Sequence, residues 1–371
     1  MTTSEHGLRA HAYVRAIAPY QAGKPIEDVA RELGLAAASI VKLASNENPL
    51  GMPASARAAI ARATELGRYP DSNGFELKRA LSARFGVPAE WLTLGNGSND
   101  ILELAAATVL APGTSAVYAQ HSFAVYALAT QARGARAIVV PGRDYGHDLD
   151  AMAAAIDSDT RVVFVANPNN PTGTFAPHAD VERFIARIPA DVLIVLDEAY
   201  NEYLPPALRF DTTAWVRKHR NLLIARTFSK IYGLAGLRIG YGIAQAELTD
   251  LLNRVRQPFN VNVLAQVAAL AALGDLAFQQ QSYELNRRGM QQLVEGFHAL
   301  GLQTVRSYGN FVMVRVGPAA KVYQALLERG VIVRPIANYG LPDWLRVTIG
   351  LPEENARLLQ ALPAAIAAAR G

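Results

Sequence analysis

The 371-residue sequence contains no cysteine. Disulfide bonds, thiolate nucleophiles and cysteine-ligated metal sites are therefore excluded, and we predict no metal centre. The N-terminus lacks the apolar segment of a signal peptide, and no window reaches the roughly 18 apolar residues of a membrane span. The net charge is +4, and the basic residues are scattered along the chain. No run of lysine or arginine therefore indicates a nucleic-acid surface. We expect a cytoplasmic protein with a small-molecule partner, bound to neither membrane nor nucleic acid.

Short apolar segments alternate with longer helical ones between residues 90 and 245. These segments are apolar throughout, which is typical of strands covered by helices on both faces. The pattern predicts an α/β fold with a mostly parallel large sheet flanked by helices, over residues 45–262. The pattern then changes, which predicts a smaller α+β domain over residues 263–371. Residues 1–44 are expected to form an N-terminal arm and part of the small domain.

One lysine lies in the glycine-rich stretch TFSKIYGLAGLRIGY, residues 227–241. Partial burial lowers the pKa of an amine, and the neutral amine can then form a Schiff base. A lone loop lysine is more often only a solvated surface residue, because short motifs produce many false positives. Lys230 becomes a candidate catalytic residue only in the company of other groups.

Two further segments place polar side chains after buried strands. VLIVLDEAY delivers Asp197 at the end of a strand, where open α/β sheets bind their ligands. A carboxylate in such a place needs a cationic partner, for example a protonated pyridine, although an N-cap role is equally consistent. VANPNNPTGTF is either a plain loop or a stiff turn that aims the amide of Asn170 at a ring oxygen.

The segment TLGNGSNDILELAAATVL joins a glycine-bearing turn to an amphipathic helix. Backbone N–H groups at a helix start can bind a phosphate, and hydroxyl and guanidinium groups can complete such a site. An ordinary strand-to-helix turn capped by serine is the simpler interpretation. The candidate phosphate ligands are Gly97, Ser98, Asn99, Thr227, Ser229 and Arg238.

Together these segments offer a Schiff-base lysine, a partner for a pyridinium, a donor to a phenolic oxygen and a phosphate cradle. Those are the four contacts that pyridoxal 5'-phosphate requires. The order of SNENPLG, GNGSND, NPNNPTG, LDEAY, TFSKIYGLAGLRIGY and WLRVTIG resembles the class I/II aminotransferases of PLP fold type I. With PYQAGKPIEDVARELGL in the arm and RYPD further on, the chain is similar to those members that act on histidinol phosphate in histidine biosynthesis.

The resemblance implies a role for each matching residue. Lys230 would hold the cofactor and move the substrate proton, Asp197 would pair with the ring nitrogen, and Asn170 and Tyr200 would bind the ring oxygen. Phe123 would stack on the ring, where many relatives carry a tyrosine. Tyr69 would reach the cofactor phosphate of a neighbouring subunit, which implies a homodimer with shared active sites.

The substrate residues implied by the resemblance are Tyr20, Asn48, Arg334 and Arg346. Tyr20 and Arg334 would bind the phosphate of histidinol phosphate or imidazole-acetol phosphate, and Arg346, with Asn48 nearby, the carboxylate of glutamate or 2-oxoglutarate. Tyr20 could equally pin the arm to the body, and Arg334 could form a surface ion pair.

Other functions share parts of this pattern. An aromatic aminotransferase or a phospho-amino-acid decarboxylase would use nearly the same cofactor residues. A PLP-binding regulator would need a DNA-binding module before SNENPLG, which begins at residue 45 and leaves too little room for one. A nicotinamide dehydrogenase is disfavoured because GNGSND lacks the third glycine of the dinucleotide motif.

Overall fold

A computed structural model describes residues 8–19 and 23–370. Its strands are β1 (Val41–Lys42), β2 (Leu92–Gly95), β3 (Ser115–Ala119), β4 (Arg136–Val140), β5 (Thr160–Ala166), β6 (Leu193–Asp197), β7 (Leu222–Thr227), β8 (Gly240–Ile243), β9 (Thr304–Val305), β10 (Phe311–Arg315), β11 (Val331–Ile332), β12 (Arg334–Ile336) and β13 (Leu341–Thr348).

The helices surround these strands. They are α1 (Ala12–Arg15), α2 (Ile26–Leu33), α3 (Ala54–Arg62), α4 (Phe75–Phe85), α5 (Ser98–Val109), α6 (Ala124–Ala132), α7 (Leu149–Ala154), α8 (His178–Arg187), α9 (Thr213–Lys218), α10 (Ala246–Val255), α11 (Val263–Gly274), α12 (Leu276–Ala299), α13 (Ala319–Leu327) and α14 (Pro352–Arg370).

The large sheet has seven strands in the order β2-β8-β7-β6-β5-β3-β4. Strands β4, β3, β5, β6 and β7 pair in parallel, and β8 is antiparallel to both β7 and β2. Alternate residues of β5 serve opposite faces, since Val163 and Val165 belong to one hydrophobic core and Val162 and Phe164 to another. Helices cover both faces, which explains the continuously apolar strands. The predicted fold class is confirmed.

The smaller sheet is antiparallel, with the order β12-β13-β10-β9. Its core includes residues from α12, α13 and α14, among them Phe297, Val322 and Leu358. Near the N-terminus, β1 pairs in parallel with β11, and Val29 of α2 packs beside Ile332. This part of the N-terminal segment therefore packs with a separate two-stranded sheet formed by β1 and β11.

Helix α11 belongs to a different core from the one expected. The sequence assigned it to the small domain, but its buried alanines, including Ala265 and Ala268, pack in the core of the large sheet. The following helix α12 changes core along its length, since Tyr283 packs with the large sheet and Leu293 with the small one. No single helix in the described ranges is long and apolar enough to cross a membrane, whereas α11 and α12 together meet that criterion across a bend of 79°.

Candidate active site

A cavity of about 350 Å³ lies at the carboxyl ends of the central parallel strands. Residues from the ends of β5, β6 and β7, from the start of α5 and from β12 and β13 line it. The predicted site residues on its wall are Ser98, Asn99, Phe123, Asn170, Asp197, Tyr200, Thr227, Ser229, Lys230, Arg238, Arg334 and Arg346. The parallel sheet brings those that follow its strands together because the strands end at one edge, and the small sheet adds the two arginines.

Lys230 follows β7 and projects its amine into this cavity. Nζ donates hydrogen bonds to the carbonyl oxygens of Asn46 at 3.2 Å and Ser45 at 3.4 Å, and lies 5.6 Å from the centre of the Tyr200 ring. Burial, with a smaller contribution from the positive charge of Arg346, lowers the pKa of Lys230 to about 7. A large fraction of the amine is therefore neutral near pH 7, as a nucleophilic lysine requires.

Asp197 ends β6 and is only 5% exposed. Its Oδ2 accepts a hydrogen bond from the Tyr126 hydroxyl at 2.9 Å, and its Oδ1 accepts one from the Ala199 backbone N–H at 3.2 Å. Burial raises the pKa of Asp197 to about 6, although the Tyr126 hydrogen bond opposes that shift. Such a carboxylate is well suited to a cation held inside the cavity.

The start of α5 is open toward the cavity. Gly97 precedes the helix with φ +81° and has no side chain to cap it, so the first N–H groups can serve a ligand. A Cβ at Gly97 would lie 2.5 Å from Arg238 Nη2, and a Cβ at Gly240 would lie 2.4 Å from the Ser98 nitrogen. Because these two glycines have no side chain, the Arg238 guanidinium can lie against Gly97, and the backbone at Gly240 can lie against the start of α5. Such a donor set fits a phosphate group.

Hydroxyl groups beside this helix start extend the same donor set. The Thr227 Oγ1 accepts a hydrogen bond from the Ser229 backbone N–H at 3.0 Å, and Arg238 Nη1 lies 3.5 Å from Ser229 Oγ. Arg238 also donates to the Ala235 carbonyl at 3.0 Å, which fixes the guanidinium next to the cavity.

Two arginines mark the side of the cavity formed by the small sheet. Arg334 and Arg346 are directly paired on the antiparallel strands β12 and β13. Arg346 donates to Asn170 Oδ1 at 2.6 Å and to the Ala44 carbonyl at 2.9 Å, while its buried Nε finds no hydrogen-bond partner among the described residues. An unsatisfied buried donor is costly, so an anion bound here would be stabilising.

Some predicted residues do not line the cavity. The Asn48 amide donates to the Ile231 carbonyl and to Ser282 Oγ, each at 2.9 Å, and so it ties the backbone together instead of facing the cavity. Tyr69 is 81% exposed and stacks on Phe259, with ring centres 4.5 Å apart. Gly97 contributes backbone beneath the Arg238 guanidinium. Tyr20 lies outside the described residues.

The sequence reasoning missed two residues with direct contacts to this site. Asn46, at φ +54°, donates from Nδ2 to the Tyr200 hydroxyl at 2.9 Å, and its carbonyl accepts from Lys230. It lies inside the SNENPLG motif, two positions before the asparagine that was chosen. Tyr126 lies three residues after Phe123 in α6, a spacing that places two side chains on the same side of a helix. Within the described ranges, no group of three or more His, Asp or Glu side chains is arranged to hold a metal ion.

The fold and this arrangement are those of a transferase of amino groups. The chain belongs to the class I and II aminotransferase family, which it matches over residues 38–362.

The relatives refine this assignment. The chain is 70% identical to histidinol-phosphate aminotransferase 1 of Cupriavidus pinatubonensis, over 95% of this chain and 96% of that protein. It is 66% identical to histidinol-phosphate aminotransferase 2 of Ralstonia nicotianae, over 96% and 97% respectively. Its fold is similar to the crystal structure of histidinol-phosphate aminotransferase from Sinorhizobium meliloti in complex with pyridoxal-5'-phosphate, with a TM-score of 0.89, 26% identity and coverage of 98% and 99%.

Proposed function

We propose that the protein is a pyridoxal-5'-phosphate-dependent aminotransferase of histidine biosynthesis. It would exchange an amino group between histidinol phosphate and 2-oxoglutarate, with imidazole-acetol phosphate and glutamate as the products. The observation that carries the proposal is the convergence of the half-buried amine of Lys230, whose pKa is lowered, the buried carboxylate of Asp197 and an open helix start in one cavity. The names of the relatives support the substrate.

The donor set supports a definite placement of the cofactor. When bound, PLP supplies an aldehyde that condenses with amines and a ring that accepts the electrons released at the substrate carbon. Lys230 would bind the aldehyde carbon, Asp197 the ring nitrogen, and Asn170 and Tyr200 the ring oxygen, with the Phe123 ring against its face. The phosphate would be held by Gly97, Ser98, Asn99, Thr227, Ser229 and Arg238.

Lys230 would also carry the proton that leaves the substrate. With a pKa lowered to about 7, the free amine of Lys230 would be a base matched to neutral pH. Asp197 would keep the ring nitrogen protonated, which makes the ring a better electron acceptor. Asp197 is buried and Lys230 is half-buried on the wall of the cavity, and partial removal from water strengthens the electrostatic effect of both.

Substrate recognition would depend on anions. Histidinol phosphate carries a phosphate and no carboxylate, whereas glutamate carries two carboxylates, so one site must accept both. Arg346 is held by Asn170 and the Ala44 carbonyl, and Arg334 lies opposite it on the paired strand. We propose that Arg346 binds the carboxylate of glutamate and that Arg334, with Tyr20 from the arm, binds the substrate phosphate. Asn48 would support this region through the backbone.

One further cavity favours a second class of amino-group donor. A largely apolar space of about 720 Å³ adjoins the first and shares Phe123 and Arg334 with it. Tyr118 and Tyr339 also line it, so an aromatic side chain would fit there. Aromatic amino acids are therefore the alternative amino donors, on the same cofactor chemistry.

A panel of amino donors distinguishes these functions. The protein reconstituted with PLP is mixed with histidinol phosphate, phenylalanine or phosphothreonine, and the cofactor absorbance is followed through each half-reaction. We expect the fastest change with histidinol phosphate. A faster change with phenylalanine would favour the aromatic aminotransferase, and release of CO₂ from phosphothreonine would favour the decarboxylase. The matched variant Lys230→Ala should show no turnover, and full turnover by this variant would contradict the proposal.

We also propose that two chains share their active sites in a homodimer located in the cytoplasm. Tyr69 is 81% exposed and lines no part of the cavity of its own chain, while Leu66 and Phe75 are exposed nearby in sequence. A neighbouring subunit that received Tyr69 would bury this apolar surface. Sedimentation should give a dimer, and Tyr69→Ala should weaken PLP binding without changing the fold. A fully active monomer would contradict the shared site, and cell fractionation tests the location.

A further inference from the structure

A tyrosine outside the predicted site makes a direct contact with the carboxylate that faces the cofactor position. Tyr126 lies in α6 and its side chain is completely buried. Its hydroxyl donates a hydrogen bond to Asp197 Oδ2 at 2.9 Å. Because the hydroxyl has no access to solvent, this hydrogen bond is not exchanged for one to bulk water.

Aromatic packing fixes the hydroxyl in that direction. The Tyr126 ring stacks on Phe164 of β5, with ring centres 4.8 Å apart and an angle of 9° between the planes. On another side it meets the Phe123 ring edge-on at 6.0 Å. A ring held by two neighbours in a close-packed core has no room to turn the hydroxyl toward another partner.

The charges around Asp197 act in opposite directions. Burial and the nearby Glu198 raise the pKa of Asp197, whereas the Tyr126 hydroxyl, the Ala199 backbone N–H and the Lys230 charge lower it. Burial raises the pKa of the Tyr126 phenol well above its ordinary value. The phenol therefore stays protonated near neutral pH and can donate its hydrogen bond to Asp197. Without the Tyr126 hydroxyl, only the weaker effects of the Ala199 N–H and the Lys230 charge would oppose burial, and the pKa of Asp197 would rise further.

We propose that Tyr126 is a positioning residue that keeps Asp197 ionised and fixes its orientation, so that the carboxylate pairs with a protonated ring nitrogen of the cofactor. The inference rests on the proposed use of PLP. It assigns a function in the site to a residue that does not line the cavity.

The test uses two ligands that differ at one atom. Full-length protein freed of cofactor is titrated with PLP and with an analogue in which carbon replaces the ring nitrogen, at pH 6.5 and pH 8.5. The analogue cannot pair with Asp197 through that position. We expect Tyr126→Phe to bind PLP about tenfold more weakly at pH 6.5, since a hydrogen bond to an ionised group shifts an equilibrium by roughly that much. The loss should be smaller at pH 8.5, where Asp197 of the variant regains its charge, and affinity for the analogue should not change.

A second tyrosine supplies the control. The Tyr241 hydroxyl is buried, lies outside the cavity and is close to the charge of Arg226 instead of Asp197, so Tyr241→Phe also deletes one buried hydroxyl and should change neither affinity. Equal losses for PLP and the analogue in Tyr126→Phe would show that Tyr126 serves only packing and would overturn the proposal. Unchanged binding of both ligands would overturn it as well. Failure of the unaltered protein to bind PLP would instead contradict the proposed function.

Discussion

The rate at which PLP attaches to Lys230 should depend on pH in a way that an ordinary lysine would not show. Only the neutral amine attacks an aldehyde. Burial and the charge of Arg346 lower the pKa of Lys230 from 10.5 to about 7, so most of the amine is neutral at pH 7.5. An amine with the ordinary value is neutral in about one molecule in a thousand at that pH. At pH 7.5 PLP should therefore attach to Lys230 several hundredfold faster than to an ordinary lysine. This factor is on the order of the ratio of the two neutral fractions.

Stopped-flow absorbance after mixing cofactor-free protein with excess PLP measures this rate. Below about pH 6 the rate should rise close to tenfold per pH unit, and it should level off through about pH 7 and 8 as the amine becomes neutral. Nα-acetyl-lysine, whose ε-amine is free, is the reference in solution, and its rate should keep rising through pH 9.5. The variant Lys230→Ala should lack this phase. A protein rate that continued to rise to pH 9.5 would refute the assigned environment.

Two further changes test contacts that support the site. Asn46→Gly keeps the left-handed backbone at φ +54° but removes the amide that donates to Tyr200, so steady-state turnover should fall roughly 3- to 10-fold, the effect of one neutral hydrogen bond; unchanged turnover would contradict this role. Arg226→Met breaks the pair with Glu198, whose atoms are 2.8 Å apart and whose side chains are 6% and 3% exposed. The variant should lose about 3–5 kcal/mol of stability in urea unfolding, and Glu198→Gln in the same chain should restore part of it; a loss below about 1 kcal/mol would indicate that the pair is solvated.

The large sheet was predictable because its central strands are covered on both faces. Strands β5, β6 and β7 are almost wholly buried, and burial of both faces requires apolar residues at consecutive positions. Strand β2 is also buried at all four positions and runs directly into the turn before α5. The packing of helix α11 in the core of the large sheet was not predictable, because an alanine-rich helix carries no information about which sheet it will cover.

The site was predictable where polar residues end apolar strands. Asp197 follows β6 in this way, and Lys230 lies three residues beyond the end of β7. The choice between Asn46 and Asn48 was not predictable, because both are asparagines in one short motif. The backbone decides between them: Asn46 adopts φ +54° and turns its amide to Tyr200, while the Asn48 amide reaches Ile231 and Ser282. Local conformation of this kind depends on distant partners such as Thr348, which bonds to the Asn46 backbone.

The two arginines show how strand register creates a site that spacing alone does not reveal. Arg334 and Arg346 are twelve positions apart in the chain, yet β12 and β13 place their Cα atoms directly opposite each other. Like charges at opposed positions of a sheet are destabilising, so a fold that keeps this pair must offset the repulsion. Asn170 and the Ala44 carbonyl do so in part for Arg346. An anion on the wall that both arginines share would offset it further, and the proposed binding of phosphate and carboxylate at one place would then depend on the register of two strands.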